Sequence, residues 1–544
     1  MSVHLQLTSP LSLRGVDASV TFETCPDNTT LFHADDENDL DKIEQVVHPH
    51  GPALVHLYFR IVHPTYPILH KKVFLEKYDR SYREFSPPLL AAVYLLAMNW
   101  WEYDRDLSLK TKPDQHALVR LATKTIADVV YRPKLSTVQA GLLLLQRARG
   151  DSWVLTSQLV AVGEELGLHL DCTTWSIPEW ERGLRRRLAW ALYMQDKWGA
   201  LIHGRPSHID NKTWSVRHVS SDDFPESAAD EDDEEGSTEV EKGRTLFQCL
   251  IRLSETLADI LDILYTLDGT RDINTIVSAN GILGLLELVK PVSLKLRQWI
   301  TDLPICLNMD DLKTRKLCSN GYLHLSYYIA EISIHRCIIR ALHSPLCTTT
   351  PSHLFDICRD AAKMRFLHSL QFIESLRPEH LQSFWWFMSA KSLALIGSFG
   401  ALLWATSTSE EEAHFYRQKI DDYRWTLKVR SKSVSFVEVG IEELATCMPP
   451  DLDLGKVNSG VKTIPAYPSS AAGSQTTITT PRSNGDGLVG QPQTGHLDHL
   501  NGAPYHSDLT QAPPEGTTPF LFEDNIFALV DTPGLYFEID GQTS

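Results

Sequence analysis

From Pro52 onward, apolar residues recur at the spacing of one helical face. Leu54, Leu57, Tyr58 and Ile61 fall at i, i+3, i+4 and i+7, which predicts an amphipathic helix stopping before Pro64. Beyond the Pro-broken turn "HPTYPILHKK", the stretch "SPPLLAAVYLLAMNWW" offers Ser86 as N-cap and Pro87 at the first helical position, where a missing N–H costs nothing. It is apolar nearly all round, which predicts a central buried helix. Leu118, Leu121, Ala122, Ile126 and Val129 form another face. Ser136 with Gln139 reads as a capping box for "STVQAGLLLLQRARG", ended by Gly150. Leu155, Leu159, Val162 and Leu166 follow, ending at Gly167, and Ser176 with Glu179 reads as the next capping box. Periodicity resumes at Leu246, Leu250, Leu253, Leu257, Ile260 and Leu264 and continues in patches to Thr446, strongest in 321–343 and 384–405. Alternating strand runs with hairpin turns are absent from the pattern. Residues 52–447 are therefore expected to be all-α, a multi-helix bundle or superhelical array.

The flanks break this period. Residues 1–50 are polar and acidic and are expected to be mostly disordered. "DDFPESAADEDDEE", residues 222–235, has nine acidic residues among fourteen and no basic one, the composition of a solvated loop inside the helical domain. Residues 449–518 are rich in Ser, Thr, Gly and Pro and read as a disordered linker. In 519–544, Phe520, Phe522, Ile526, Phe527 and Leu529 alternate with acidic residues. That pattern reads as a candidate activation segment folding on a partner, or equally as a terminal peptide docking on its own core.

Charge and cysteines narrow the function classes. The 544-residue chain carries a net charge of −18, and residues 1–55 hold only Arg14 and Lys42 as cations, unlike a bare nucleic-acid binder. Nine cysteines without a CxxC give neither a zinc knuckle nor a redox pair and read as reduced thiols of a nuclear or cytosolic protein. The near-apolar stretch 392–405 is short for a bilayer and reads as a core helix, so no membrane is expected as partner.

Catalytic chemistry is not written here. P-loop, dinucleotide turn, HExxH and GxSxG motifs are missing, and no enzyme is expected. "DDEND", Asp35 to Asp39, matches a magnesium-binding DDxxD in form but lacks a helical context and a second motif. His63 with His70, and His335 with His343, lack the i, i+4 spacing of paired metal ligands. Arg185, Arg186 and Arg187 invite a ligand reading. Successive helical residues turn by about 100°, so three in a row splay over roughly 200° and cannot face one ligand. Glu181 stands four before Arg185, in the favourable order for a pair. Another arginine turning inward would find Asp196 or Glu165. Structural bracing therefore outweighs ligand binding.

Three separated strings resemble one family. "LYFRIVHPTYPILHKKVFLEKY" (57–78), "LVAVGEELGLHLD" (159–171) and "ERGLRRRLAWALYMQDKWGALIHGRPSHI" (181–209) resemble, in order and spacing, the fungal-specific transcription factor domain, or middle homology region, over roughly 52–447. Its best-marked block corresponds to Arg185, Arg186, Arg187, Trp190, Asp196, Gly204, Arg205 and Pro206. Leu170 stands where the family often has Arg, and Ala189 where a second Trp is common. Within the family, the stretches after His63 and Ser86 look most like co-activators of nitrogen-source catabolic genes. The resemblance implies a nucleus-located regulator of RNA polymerase II genes, with other regulators and the transcription machinery as partners. Homo- or hetero-dimers and a small-molecule inducer also fall within what it implies. The family carries a six-cysteine binuclear zinc cluster near its N-terminus. Cys25 is the only cysteine before Cys172, so zinc ligands have no matching positions and DNA contact is expected to be indirect or to need a missing module. The alternative reading is a small-molecule sensor or helical enzyme with a pocket near the Arg/Trp block.

Overall fold

The computed structural model describes residues 12–24 and 33–448, apart from 132, 151, 349 and 432–433. The expected linker and activation segment, including Phe520, Phe522, Ile526, Phe527 and Leu529, lie outside the described residues. Among the described residues there are sixteen α-helices and two small two-stranded sheets, so the protein is all-α. The first half holds α1 (His33–Val47), α2 (Gly51–Leu57), α3 (Lys71–Arg80), α4 (Pro87–Ala97), α5 (Gln115–Val129), α6 (Leu135–Leu145), α7 (Trp153–Glu165) and α8 (Glu179–His203). The second half holds α9 (Val240–Leu264), α10 (Leu267–Thr301), α11 (Asn320–Leu342), α12 (Ser352–Ser375), α13 (Pro378–Leu381), α14 (Ser389–Ala405), α15 (Glu410–Ser431) and α16 (Ser435–Cys447). Strands β1 (Ser12–Gly15) and β2 (Thr21–Thr24) pair antiparallel, while β3 (Ser237–Thr238) and β4 (Lys316–Leu317) pair parallel.

The apolar pattern accounts for the packing. Every residue of α4 is buried, and α1, α2, α5 and α6 pack around it. Its four leucines are each worth about 1.5–3 kcal/mol of burial. The six-residue stripe from Leu246 to Leu264 lies wholly buried on α9, which packs against α8, α10 and α11. α11 meets α12 and α14, and α14 takes α15 and α16 on its other faces. One contiguous core thereby runs from Leu40 to Met448. Residues 384–388 precede α14 as a buried non-helical lead-in. There Trp385 stacks on Phe436 with ring centres 4.4 Å apart, and Trp386 meets Trp198 of α8 at 5.5 Å. By length and composition α10 is long and apolar enough to cross a membrane. In this fold it packs on α9 and α11, with Val277, Ile282, Leu285 and Leu286 buried, and it breaks at Gly281, whose φ is +61°.

Within residues 1–50 the described residues form the β1–β2 hairpin and α1, while 1–11 and 25–32 lie outside the described residues. Among the described side chains of α1, Leu40, Ile43 and Val47 are buried and Val46 packs partly against the core, too sparse a stripe to stand out beside its acidic first half. The two capping boxes are displaced. α6 starts at Leu135, where Thr137 Oγ1 accepts the Lys134 N–H at 3.1 Å, and α8 starts after Pro178. α6 also ends at Leu145, short of Gly150. Ser86 does occupy the N-cap of α4, but its hydroxyl makes no capping bond.

Candidate functional site

The arginine block lies in the N-terminal half of α8, and its three side chains diverge as helical geometry requires. Arg185 Nε donates to Glu181 Oε1 at 3.1 Å, the expected local pair, and its Nη1 donates to the Leu166 carbonyl at 2.9 Å. Its guanidinium lies over the Trp175 ring, 5.2 Å from the centroid. Arg186 Nη1 donates to Asp223 Oδ1 at 2.5 Å, and its Nη2 to Thr173 Oγ1 at 3.0 Å. Arg187 is fully buried. Its Nη1 donates to the Pro67 carbonyl and, at 3.2 Å, to the Leu69 carbonyl, while Nε and Nη2 have no hydrogen-bond partner among the described residues. Burial pulls the Arg187 guanidinium down to about 10 against the opposing pull of Glu226 and Asp223.

The inward carboxylate is Asp223, not Asp196 or Glu165 as expected. Asp223 belongs to the acidic run, a largely solvent-exposed loop that is anchored across the domain as a strap by the buried Asp223 and Phe224. Phe224 is buried, with Arg187 and Arg244 over its ring at 5.7 and 4.9 Å. Glu226 Oε1 accepts the Lys71 N–H at 3.1 Å and lies 3.8 Å from His63 Nε2. Burial pushes the Glu226 carboxyl up, and His63, Arg187 and the Lys71 amide together carry it below its ordinary value. Farther along, Glu231 accepts the Val240 N–H at the start of α9 at 3.0 Å. Asp232 meets His56 at 3.1 Å, and Glu234 pairs with the buried Arg60. Buried cations on α8 and in the 58–62 turn supply the partners that hold the strap in.

The C-terminal half of α8 is organised differently. Asp196 is fully buried and accepts from Ser207 Oγ at 2.5 Å, His208 N at 2.9 Å, His208 Nδ1 at 2.9 Å and Ile209 N at 3.1 Å. Gly204 caps the helix at φ +59°, a conformation that glycine enters without a Cβ penalty. The Arg205 N–H returns to the Ala200 carbonyl at 3.1 Å, and the Arg205 side chain and Pro206 are exposed. Trp190 Nε1 donates to the Arg217 carbonyl at 3.0 Å, and its ring stacks on His218.

Space for a ligand at this block is scant. The cavity between Phe59, His63, Phe224, Glu226 and Arg244 measures about 10 Å3, room for a single water. A wider open groove of 510 Å3 lies elsewhere, between α1 and α5, with Lys42, Arg120 and Lys124 at its rim. Asp39, the last carboxylate of "DDEND", is buried in α1 and held by Lys42 at 3.2 Å and Lys124 at 2.5 Å, so lysines take the place a metal would need. The expected histidine pairs are also structural. His63 Nε2 bonds the Leu69 carbonyl, His70 caps α3, and His343 bonds the Ile339 carbonyl. The eight described cysteines are dispersed free thiols, and the described residues spaced closely enough to hold a cation are His56, Asp232 and Glu234, with no sulfur among them. These residues do not fit the family's zinc cluster.

Comparison with known proteins accords with the three strings read from the sequence. Residues 55–301 match the fungal specific transcription factor domain, a shorter span than the 52–447 resemblance. The "Transcriptional activator protein DAL81" of Saccharomyces cerevisiae is 40% identical over 466 residues, covering 79% of this chain and 47% of that protein. The "Cutinase transcription factor 1 beta" of Fusarium vanettenii is 22% identical over 372 residues, 61% of this chain and 42% of that protein. The "Acetamidase regulatory protein" of Emericella nidulans is 26% identical over 180 residues, 31% and 22% respectively. The chain thus spans about half, or less, of the length of these relatives. No solved structure matches it significantly. Residues 55–301, from α2 to the end of α10, thus carry the fungal specific transcription factor domain.

Proposed function

We propose that this protein is a nuclear regulator of RNA polymerase II transcription, working through its helical domain as a co-activator in nitrogen-source catabolism. DNA contact comes through a partner regulator or through a zinc-cluster segment beyond these 544 residues. The observation that carries the reading is the 40% identity to a named transcriptional activator across 79% of the chain. The net charge of −18 supports indirect DNA contact, because phosphate neutralisation needs a basic surface. Residues 519–544 are its candidate activation segment, and Arg185 to Arg187 with Asp196 serve as braces of the regulatory domain.

A tethering experiment tests this. Fused to a heterologous DNA-binding domain, the chain is expected to activate a reporter, and removal of 519–544 to lower that output. The purified chain alone is expected not to shift promoter DNA. A silent fusion would refute the activator role, and sequence-specific binding by the unfused chain would refute the indirect contact.

A further inference from the structure

Ser227 stands on the strap immediately after Glu226, and its side chain is exposed. Its Oγ donates to Asp230 Oδ2 at 3.1 Å and its N–H to the same oxygen at 2.7 Å. The local sequence is selective. Six consecutive acidic residues, Asp230 to Glu235, begin three positions after Ser227. No lysine or arginine lies between Arg217 and Lys242, the residue after Ser227 is Ala228, and the residue three before it is Phe224. A kinase that needs upstream cations or a following proline finds neither. A kinase whose basic cleft reads carboxylates downstream of the acceptor finds the densest run of them in the chain. Ser409 also precedes acidic residues, but only three, and its Oγ accepts the Glu412 N–H at 3.2 Å at the start of α15.

We propose that Ser227 is a phosphorylation site for an acidophilic serine/threonine kinase, and that the phosphate loosens the strap from the arginine block. Ser227 Oγ attacks the γ-phosphorus of ATP and forms the new O–P bond. The bond from that phosphorus to the bridging oxygen breaks, ADP leaves with the electron pair, and the hydroxyl proton passes to the kinase's base. The product carries about −1.5 to −2 charge. It sits beside the Asp230 carboxylate and between Glu226 and Glu231 along the chain, with Lys71 Nζ, which donates to the Asp230 carbonyl at 3.2 Å, as a nearby cation. Carboxylates outnumber that lysine, so the turn from Ser227 to Asp230 opens. Glu226, the adjoining residue, then loses its seat against His63 and the Lys71 amide, and Arg187 loses the larger of the two carboxylate pulls that offset its burial.

The test uses the full chain, ATP and a purified acidophilic kinase of the casein kinase 2 type, with the phosphate mapped by mass spectrometry. Incorporation is expected at Ser227, lost in Ser227→Ala and kept in Ser409→Ala. Equal incorporation by wild type and Ser227→Ala, or phosphate mapped to Ser409, overturns the site. A glutamate-specific protease then reads the strap, because cleavage tracks the population of opened segments. Phosphorylated wild type is expected to be cut within 222–235 roughly five-fold faster than unmodified chain, while kinase-treated Ser227→Ala is not. Equal cleavage overturns the loosening.

Discussion

At its N-terminal end α8 reaches across the chain: Arg186 to Asp223, 37 positions away, and Arg187 to the Pro67 carbonyl, 120 positions away. At its C-terminal end Asp196 gathers Ser207, His208 and Ile209, all within thirteen positions of itself. One uninterrupted string therefore encodes two devices. The arginine end ties distant segments together and depends on acidic partners that only the complete fold delivers. The aspartate end is self-contained, a buried carboxylate saturated by its own return loop. In both, burial makes the polar contacts costly to break, because the abandoned partner stays desolvated.

Arg186→Ala breaks the arginine end and should have the largest effect. It strands Asp223 in the interior, with Arg217 at 3.8 Å as its remaining cation. The expected loss is about 3–5 kcal/mol in urea unfolding, and a loss below about 1 kcal/mol would remove the distinction between the ends. Asp196→Ala should follow at about 2–4 kcal/mol, leaving the His208 and Ile209 backbone donors without their acceptor. Its signature is local: amide exchange should accelerate at 207–209 and stay unchanged at 223–226.

Acid acts on the arginine end. Burial lowers His63, beside Glu226 and Arg187, to about 4 from an ordinary 6.5, and burial also lowers His335 to about 3 and His380 to about 4. Each is held neutral in the fold while the unfolded chain takes up protons. Their stabilisation is complete above pH 6.5 and is lost as pH falls towards 4, and towards 3 for His335. Each contributes on the order of 1–3 kcal/mol. Thermal unfolding between pH 7 and 4 should show the slope, and His63→Gln should flatten part of it. Gly204→Ala should have the smallest effect, about 1 kcal/mol in Tm-derived stability. No atom lies near the added Cβ, so only the positive φ is penalised.

Much of the fold is legible in the sequence where apolar residues repeat. The α9 stripe, the apolar α4 and the Glu181–Arg185 pair are all local patterns. The strap is not, because its composition alone resembles a solvated charge run. What anchors it is a set of cations on α8 and near Arg60 whose proximity is a property of the folded chain. The same reason hides Asp223 as the partner of Arg186 and lets the nearer Asp196 look eligible. A signal was present even so: Phe224 among nine acids is an apolar anchor with no role in a solvated loop. The relatives are named as transcription regulators, in keeping with a chain whose sequence offers no nucleophile–base or metal set.

The two ends of α8 also differ in when they can form. Closing the Asp196 loop brings together residues 12 apart, whereas seating Arg187 on the Pro67 carbonyl closes 120. By polymer statistics that tenfold difference in loop length costs about 2 kcal/mol more closure entropy. The return loop can therefore assemble with α8 alone, early and locally, and the arginine clamp must wait for the 58–70 turn and the strap to arrive. Slow folding phases should report on Arg186 and Arg187, and fast ones on Asp196.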